Sequence, residues 1–304
     1  MADAGSPPKR RAALPRDIVH RIEAAAAALM FGLFHLLPLD AASALGGFLG
    51  RLVGPRLGVT KRAAINLRRA LPTLDAAAAR RVMRGMWDNL GRVIAEYPHL
   101  AEFKVYAGDG RIEFVGDDII EPVLASGRSA IFVSAHYGNW EIATMAATQR
   151  GLDVAEIYRA ANNPWIDRLI ASYRDSVGSE LIPKGVVAAR RSIAAVRDGR
   201  HLAVLVDQKM NDGIPVRFFG RDAMTAPAVA QLALRFDCAI VPARVERTRG
   251  ARFRIVLSPP IAVAKTGDRH ADTAAIMSAV NAEIERWVRL RPEMWLWLHR
   301  RWPD

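Results

Sequence analysis

The stretch AIFVSAHYGNWEIATMAA, residues 130–147, decides how this sequence is interpreted. Residues 129–135 form a continuous apolar run, which predicts a strand buried on both faces, as in a parallel sheet. The run leads to His136, and Glu141 follows five positions later. Ligands of open α/β sheets gather at the carboxyl ends of the strands, so this titratable pair is a candidate active site.

His136 and Glu141 can meet only if the segment HYGN, residues 136–139, is a turn. In one continuous helix, positions i and i+5 would lie roughly 140° apart. Gly138 permits unusual backbone angles and Asn139 is a good N-cap, so we predict a turn followed by a helix that Glu141 opens. The Glu141 carboxylate would then fix the tautomer of His136. The alternative is a histidine satisfied by a helix cap, with Glu141 only complementing the helix dipole.

The side chains available for catalysis limit the types of reaction that the chain could catalyse. No G-x-S-x-G elbow occurs, so a hydroxyl activated by His136 would come from the substrate, which suits acyl transfer from a thioester. One histidine and one carboxylate fall short of a metal site, and the single cysteine, Cys238, excludes a multi-cysteine zinc site. We therefore expect neither metal nor cofactor. A hydrolase that activates water and a non-enzymatic membrane-binding protein are alternatives.

The remaining pattern alternates strands with helices. Strands are predicted at 111–116, 129–135, 153–159, 181–183, 201–207, 239–247 and 252–261. Helices are predicted at 61–71, 76–94, 117–126, 163–178, 186–198, 226–236 and 272–290. Such alternation predicts an α/β fold, with a mixed, mostly parallel sheet flanked by helices.

The N-terminal region carries a membrane signal. A basic arm, residues 1–16, precedes two apolar runs at 24–39 and 41–54. Neither run reaches the roughly 20 residues needed to span a bilayer, and the basic arm opposes a single crossing. We expect two short helices that lie on one leaflet, in a membrane-binding region at 17–58 before an α/β domain at 59–304. A single crossing, or two core helices of a soluble protein, are alternatives.

The charge of the chain is strongly basic. Lys and Arg number 43 against 31 Asp and Glu, a formal charge of +12. Anionic lipid headgroups, phosphorylated substrates and acidic proteins are the partners that this balance favours. No helix-turn-helix, RNP or zinc-finger pattern occurs, so we do not expect nucleic acid as a partner.

Several ordered motifs resemble one enzyme family. HYGNWE, residues 136–141, matches the H-x4-D/E motif of the glycerolipid acyltransferase superfamily. The wider chain resembles the lipid A biosynthesis acyltransferases over residues 20–303. The further blocks that carry this resemblance are YRAANNPWIDRLI at 158–170, LVDQKMNDGIPVRFFGRDAMTAPA at 205–228, AIVPARVER at 239–247 and PEMWLWLHRRWP at 292–303.

This resemblance implies roles for particular residues. His136 would be the general base and Glu141 its partner, Arg159 would hold a phosphate or polar head of the acceptor, and Asp207 and Gln208 would shape the floor of the site. The donor would be an acyl carrier protein thioester and the acceptor a hydroxyl of a phosphorylated lipid A precursor. The implied location is the bacterial inner membrane, with the catalytic domain on the cytoplasmic face.

The residues themselves leave other assignments open. Asn139, Lys209 and Arg221 are further candidate substrate-binding residues, and for the two cations a solvated surface charge is the alternative. Asn162 stands where the family often has an acidic residue, which removes that carboxylate. The C-terminal tryptophans could lie at a lipid interface or pack on the domain. A related acyltransferase of the phosphatidylinositol mannoside type would keep this chemistry and change the acceptor.

Overall fold

The structure is a computed structural model that describes residues 15–262 and 265–303; residues 1–14 of the predicted basic arm lie outside the described residues. The helices are α1 Arg16–His35, α2 Leu39–Val53, α3 Val59–Ala70, α4 Ala76–Glu96, α5 Asp117–Ala125, α6 Ala143–Thr148, α7 Pro164–Arg174, α8 Val186–Arg197, α9 Ala228–Phe236 and α10 Arg269–Leu290. The strands are β1 Ile112–Val115, β2 Ala130–Ser134, β3 Val154–Tyr158, β4 Glu180–Pro183, β5 His201–Leu205, β6 Ile214–Phe218, β7 Arg221–Thr225, β8 Ala239–Arg249 and β9 Arg252–Leu257.

Seven of these strands form one sheet in the order β1-β9-β8-β2-β5-β3-β4. All neighbouring pairs are parallel except β8 and β9, which are antiparallel. The predicted α/β class with a mostly parallel sheet is therefore confirmed. Strand β2 lies between β8 and β5. Its five residues are all buried, as expected for a strand with helices on both faces.

Alternate side chains of β2 enter two different cores. Ile131 and Val133 belong to the cluster that the sheet forms with α8, α9 and α10. Phe132 belongs to the opposite cluster, which includes Ile120 of α5 and Ala147 of α6. Covering both faces leaves the carboxyl edge of the sheet as the place where polar side chains can gather.

Three elements differ from the sequence prediction. The antiparallel hairpin β6–β7 lies in a segment where we predicted no strand, and β9 ends at Leu257 rather than at 261. The predicted helix 163–178 ends at Arg174; a short 3₁₀ turn follows, and Gly178 takes a left-handed conformation with φ of 78°. Short strands and the ends of helices depend on tertiary contacts, which the periodicity of the sequence does not reveal.

The N-terminal helices lie along the α/β domain. Phe31 of α1 stacks on Tyr97, and Asn163 at the start of α7 donates hydrogen bonds to the His20 carbonyl and to the Glu23 carboxylate. By length and composition, the 20-residue helix α1 could cross a membrane, although the apolar run read from the sequence was shorter. These contacts hold one side of α1 against the domain.

Candidate active site

The register of two adjacent strands brings the central pair of side chains together. β2 pairs with β5 in parallel, with Ile131 opposite Leu202 and Ser134 opposite Leu205, an offset of 71 residues. The same offset carried beyond the strand ends sets His136 opposite Asp207. Both strands run in the same direction, so both side chains arrive at the carboxyl edge of the sheet.

His136 and Asp207 form a hydrogen-bonded dyad. Nδ1 of His136 lies 2.8 Å from Oδ1 of Asp207, and the His136 backbone N–H donates to Oδ2 at 2.9 Å. Because Nδ1 faces a carboxylate, it must carry the hydrogen, which leaves Nε2 as the basic nitrogen. Although burial opposes ionisation, the adjacent imidazole and these hydrogen bonds hold the pKa of Asp207 well below its usual range. Asp207 is therefore a charged and fully buried partner.

The predicted pairing of Glu141 with His136 is wrong. Glu141 accepts two hydrogen bonds from Arg174, at 2.7 Å to each oxygen, and others from Tyr97 and from Trp140. Burial alone would raise the pKa of Glu141, but the Arg174 guanidinium and these donors hold it below its usual value. The ionised carboxylate at 141 thus ties the site loop to the end of α7. The sequence argument failed because it considered only partners that are close in the chain.

The turn itself forms as predicted. Gly138 has φ of 60°, and a Cβ there would lie 1.8 Å from the Val245 carbonyl oxygen, so only glycine fits. The Asn139 side chain accepts from the Glu141 backbone N–H at 3.2 Å and caps a 3₁₀ turn that leads into α6. Asn139 also donates to the buried Glu96 carboxylate. It is 1% exposed, so its assignment as a substrate-binding residue is wrong; it positions the loop.

The C-terminal segment closes over the dyad. Tyr137 and Trp295 form an antiparallel bridge, and the Trp295 indole N–H donates to Oδ2 of Asp207 at 2.8 Å. The His299 ring lies edge-on to His136, with ring centroids 4.5 Å apart. Burial, and then the charge of His136, lower the pKa of His299 to about 3, so this ring is neutral at pH 7. Sequence reasoning missed all of these contacts; the block at 292–303 was the available signal.

The C-terminal tryptophans pack on the domain rather than at a lipid interface. Each is at most 4% exposed, at positions Trp287, Trp295, Trp297 and Trp302. Trp295, Trp297 and Trp302 surround Phe218 and Phe219 of the β6–β7 hairpin, and Trp302 donates to the Phe218 carbonyl. These aromatic side chains therefore belong to the hydrophobic core.

His299 also changes the argument about metals. One potential ligand atom from each of His136, Asp207 and His299 lies within 4.8 Å of the others, so the fold brings in a second histidine that spacing along the chain did not indicate. Both oxygens of Asp207, however, already accept hydrogen bonds, from His136 and from Trp295. The donor set fits a hydrogen-bonded dyad better than a metal centre, because a metal would have to replace these bonds.

A polar pocket of about 290 Å³ opens beside the dyad. His136, Gln208, Arg159 and Lys184 line it, since β5, β3 and β4 all end at this edge. Nε2 of Gln208 lies 3.4 Å from Nε2 of His136, which is compatible with a weak bond to the basic nitrogen. His136 keeps 14% of its side chain exposed and can meet a ligand here. Sequence reasoning named three of these four residues and missed Lys184.

A small apolar cavity of about 30 Å³ adjoins the polar pocket on the face of the sheet covered by α5 and α6. Phe132, Ala147 and Leu257 are among its lining residues, and Glu156 and Leu205 line both spaces. Its polar lining includes the Ser134 hydroxyl, which is buried and has no hydrogen-bond partner among the described residues. Burial raises the pKa of Glu156, which favours the neutral acid at this junction.

Two predicted binding residues lie outside this pocket. Lys209 follows Gln208 but points to solvent and is absent from the lining. Arg221 starts β7, where its guanidinium lies over the Trp302 ring. The assignment of Arg221 to the rim of the site is wrong, because the hairpin packs against the C-terminal segment. A substrate contact by the exposed Lys209 stays a prediction. Asn162, in contrast, lines the pocket.

Comparison with known proteins places the chain among lipid acyltransferases. The family model described as bacterial lipid A biosynthesis acyltransferase matches residues 16–304. The lipid A biosynthesis myristoyltransferase of Escherichia coli is 26% identical over 255 residues, covering 82% of this chain and 77% of that protein. A lipid A biosynthesis acyltransferase of Haemophilus influenzae is 23% identical, covering 89% and 86%. The phosphatidylinositol mannoside acyltransferase of Mycobacterium tuberculosis is 24% identical, covering 78% and 75%.

Proposed function

The chain belongs to the bacterial lipid A biosynthesis acyltransferase family, and on that premise we propose that it moves a fatty acyl chain from an acyl carrier protein thioester to a hydroxyl of a phosphorylated lipid A precursor. The observation that carries this proposal is the Asp207–His136 dyad, whose basic nitrogen faces an open polar pocket. Because no nucleophilic elbow occurs in the sequence, the substrate supplies the attacking oxygen.

The proposed reaction is a general-base transfer. Nε2 of His136 takes the proton from the acceptor hydroxyl as its oxygen attacks the thioester carbonyl carbon. The C–O bond forms, the tetrahedral intermediate collapses, the C–S bond breaks, and the imidazolium returns the proton to the leaving thiolate. The products are an ester and a free carrier thiol. General-base help of this kind typically contributes about 10² to 10⁴ in rate.

Asp207 acts through the ring of His136. Its charged, buried carboxylate holds Nδ1–H and stabilises the imidazolium that forms during the attack. Glu141 acts at a greater distance, because its bidentate pair with Arg174 fixes the loop that carries His136. We therefore propose Asp207 as the orienting carboxylate and Glu141 as a positioning residue.

The acceptor headgroup would bind at the cationic side of the pocket. Arg159 and Lys184 line the same pocket as His136, and guanidinium and ammonium groups suit phosphate oxygens. This supports a phosphorylated acceptor.

The acyl chain of the donor would extend toward the apolar cavity, which at about 30 Å³ admits a fatty chain only if α5 and α6 move apart. The cavity meets the polar pocket at Glu156 and Leu205, so a thioester at that junction would place its chain on apolar side chains and its carbonyl near His136. Ser134 could donate its unpaired hydroxyl to a ligand oxygen there. A buried donor without a partner costs about 1–3 kcal/mol, which a bound carbonyl would offset.

The N-terminal helices would hold the enzyme on the membrane. Large apolar side chains of α1 and α2 are strongly exposed, among them Leu29 at 66%, Leu33 at 58% and Phe48 at 53%. Since α1 also lies along the domain, we propose that both helices insert their exposed faces into one leaflet. With an anionic surface as partner, this favours the cytoplasmic face of the inner membrane.

A second candidate keeps the reaction and changes the acceptor. The mycobacterial phosphatidylinositol mannoside acyltransferase is nearly as similar to this chain as the Escherichia coli myristoyltransferase. That candidate gains support if a mannosylated phosphatidylinositol accepts the chain and the lipid A precursor does not.

The test is an acyl-transfer assay with purified full-length protein in detergent. Acyl carrier protein thioesters and each acceptor are supplied, and products are identified by mass. We expect transfer to the lipid A precursor, and a loss of at least about 10²-fold in His136→Ala at an unchanged melting temperature. His270→Ala, an exposed histidine at the start of α10, is the matched control. Acyl release without acceptor would identify a hydrolase, and full activity of His136→Ala would refute the dyad.

A further inference from the structure

A wide groove is lined by residues of α2, α3 and α4, away from the polar pocket. It encloses about 1300 Å³. Leu67, Leu74 and Met83 contribute apolar side chains to it, and arginines from all three helices line it as well. Nothing in the proposed acyl transfer uses this groove.

The positive charge of the chain is concentrated around the groove. Residues 54–87 contain eight Lys and Arg and one Asp, a formal charge of +7 out of +12 for the whole chain. Among the arginines that line the groove, Arg51 pairs with Asp88, whereas Arg68, Arg80 and Arg84 form no ion pair with another described residue. Unpaired guanidinium groups beside an apolar floor favour an anionic ligand that also has an apolar part.

An unpaired donor lies in the wall of the groove. Trp87 of α4 is 5% exposed, and its indole N–H has no hydrogen-bond partner among the described residues. The ring packs against Gly54, where a Cβ would lie 2.1 Å from the indole. A phosphate or ester oxygen that reached this N–H would supply the missing acceptor.

The groove is continuous with the exposed apolar face of the N-terminal helices. Phe48 and Leu52 line it and are 53% and 46% exposed, and Leu49 and Val53 beside them are exposed as well. A lipid in the adjacent leaflet could therefore lay its chains on this floor and its phosphate among the arginines. An acidic protein would match the positive charge of the groove. It would not need the apolar side chains of the groove or the continuity of the groove with the exposed face of the N-terminal helices.

We propose that this groove is a binding site for an anionic phospholipid of the membrane on which the enzyme sits. The inference rests on the proposed membrane-facing orientation of α1 and α2, and it is independent of the acyl-transfer chemistry at His136. A lipid held in the groove would contact α2, α3 and α4 together and link the N-terminal helices to the domain through a membrane component.

The experiment measures which lipid lies near Trp87. Full-length protein is bound to phosphatidylcholine vesicles that contain about one third phosphatidylglycerol, with brominated acyl chains, which quench tryptophan fluorescence, on one lipid or the other. We expect stronger quenching, per brominated molecule, when phosphatidylglycerol carries the bromine. That difference should fall by at least about half in Arg80→Gln/Arg84→Gln and in Trp87→Phe. Arg190→Gln/Arg197→Gln, two exposed arginines on α8, should retain it.

The outcomes separate this site from its rivals. Equal quenching by both labels, or equal loss in the two arginine pairs, would overturn the proposal. Loss of acyl carrier protein binding in Arg80→Gln/Arg84→Gln, without any difference between the labels, would assign the groove to that protein instead. Transfer activity in detergent should be unchanged in Arg80→Gln/Arg84→Gln, whereas His136→Ala should retain the quenching difference, so either proposal can fail alone.

Discussion

At the scale of single residues, the two carboxylates considered as partners of His136 have different tasks. Asp207 bonds directly to His136 and is completely buried. Glu141, five residues from His136, faces Arg174. The distinction matters because a charge held against the imidazole changes its basicity, whereas a charge neutralised by an arginine mainly holds backbone in place.

Substitution of each carboxylate by its amide separates these tasks. Asp207→Asn should lower kcat by about 10² to 10⁴ with little change in stability, because the ring loses its orienting charge. Glu141→Gln leaves Arg174 buried without its partner and should lower the free energy of unfolding by about 3–5 kcal/mol. Steady-state kinetics and denaturant unfolding measure the two effects. A stable Glu141→Gln protein with the kcat loss of Asp207→Asn would restore Glu141 as the catalytic partner.

His299 should make stability depend on pH in a defined window. Its pKa falls from 6.5 to about 3 on folding, so between these values only the unfolded chain binds the proton. The contribution of neutral His299 to the free energy of unfolding is therefore present above pH 6.5 and is lost as the pH falls, by about 2 kcal/mol between pH 7 and pH 5. His299→Gln should remove this part of the dependence of the free energy of unfolding on pH, measured by denaturant titrations at several pH values. The exposed control His270→Gln should keep it, and equal slopes in all three proteins would contradict the assignment.

At the scale of elements, close contact between α2 and α4 depends on missing side chains. A Cβ on Gly91 would lie 2.1 Å from the Gly46 carbonyl oxygen, and one on Gly46 would lie 2.4 Å from the Gly91 oxygen. Both obstacles are backbone, which cannot rotate away. Helix α4 also carries Asn89, which donates a hydrogen bond to the Gly138 carbonyl. The packing of α2 and the turn that follows His136 therefore depend on the same helix.

Alanine at two helical glycines should have opposite effects. Gly91→Ala should lower the free energy of unfolding by about 1–3 kcal/mol, because the helices must separate. Gly32→Ala on the exposed side of α1, where nothing lies within 4 Å, should raise it by up to about 1 kcal/mol through helix propensity. Chemical denaturation of the two variants in the same detergent measures both. Stabilisation by Gly91→Ala would show that the two helices do not pack this closely.

At the scale of the whole molecule, the exposed apolar side chains are concentrated at one end of the chain. Of the large apolar residues that are exposed, most belong to α1, α2 and the segment that follows them. An apolar surface of this kind rimmed by arginines is typical of a membrane-binding region. The candidate active site lies at the carboxyl edge of the sheet, in the domain against which these helices pack.

Charges placed on this surface should release the protein from membranes. Leu29→Asp/Leu33→Asp removes two exposed leucines that would each contribute about 1.5–3 kcal/mol in the bilayer, so the partition coefficient should fall at least about 10²-fold. Val187→Asp/Leu290→Asp changes two side chains of similar exposure elsewhere and should not alter partitioning. Vesicle co-sedimentation measures both. Equal loss in both variants would argue against a localised membrane surface.

The sequence by itself determined the class of fold and the candidate general base. An apolar strand that ends on His136, the HYGN turn with Gly138 and Asn139, and the alternation of strands with helices are local patterns, since each depends on residues within a few positions. The resemblance to the acyltransferase family added Arg159 and Gln208, and both line the polar pocket. The absence of a G-x-S-x-G elbow predicted that the attacking hydroxyl comes from the substrate.

Only the tertiary structure decided which partner each side chain has. The 71-residue offset between β2 and β5 selects Asp207 for His136, and the return of the chain's end to the site adds Trp295 and His299. Strand order and register result from packing of the whole core, not from spacing along the chain. Proximity in sequence therefore favoured Glu141, whereas proximity across the sheet placed Asp207 against the ring.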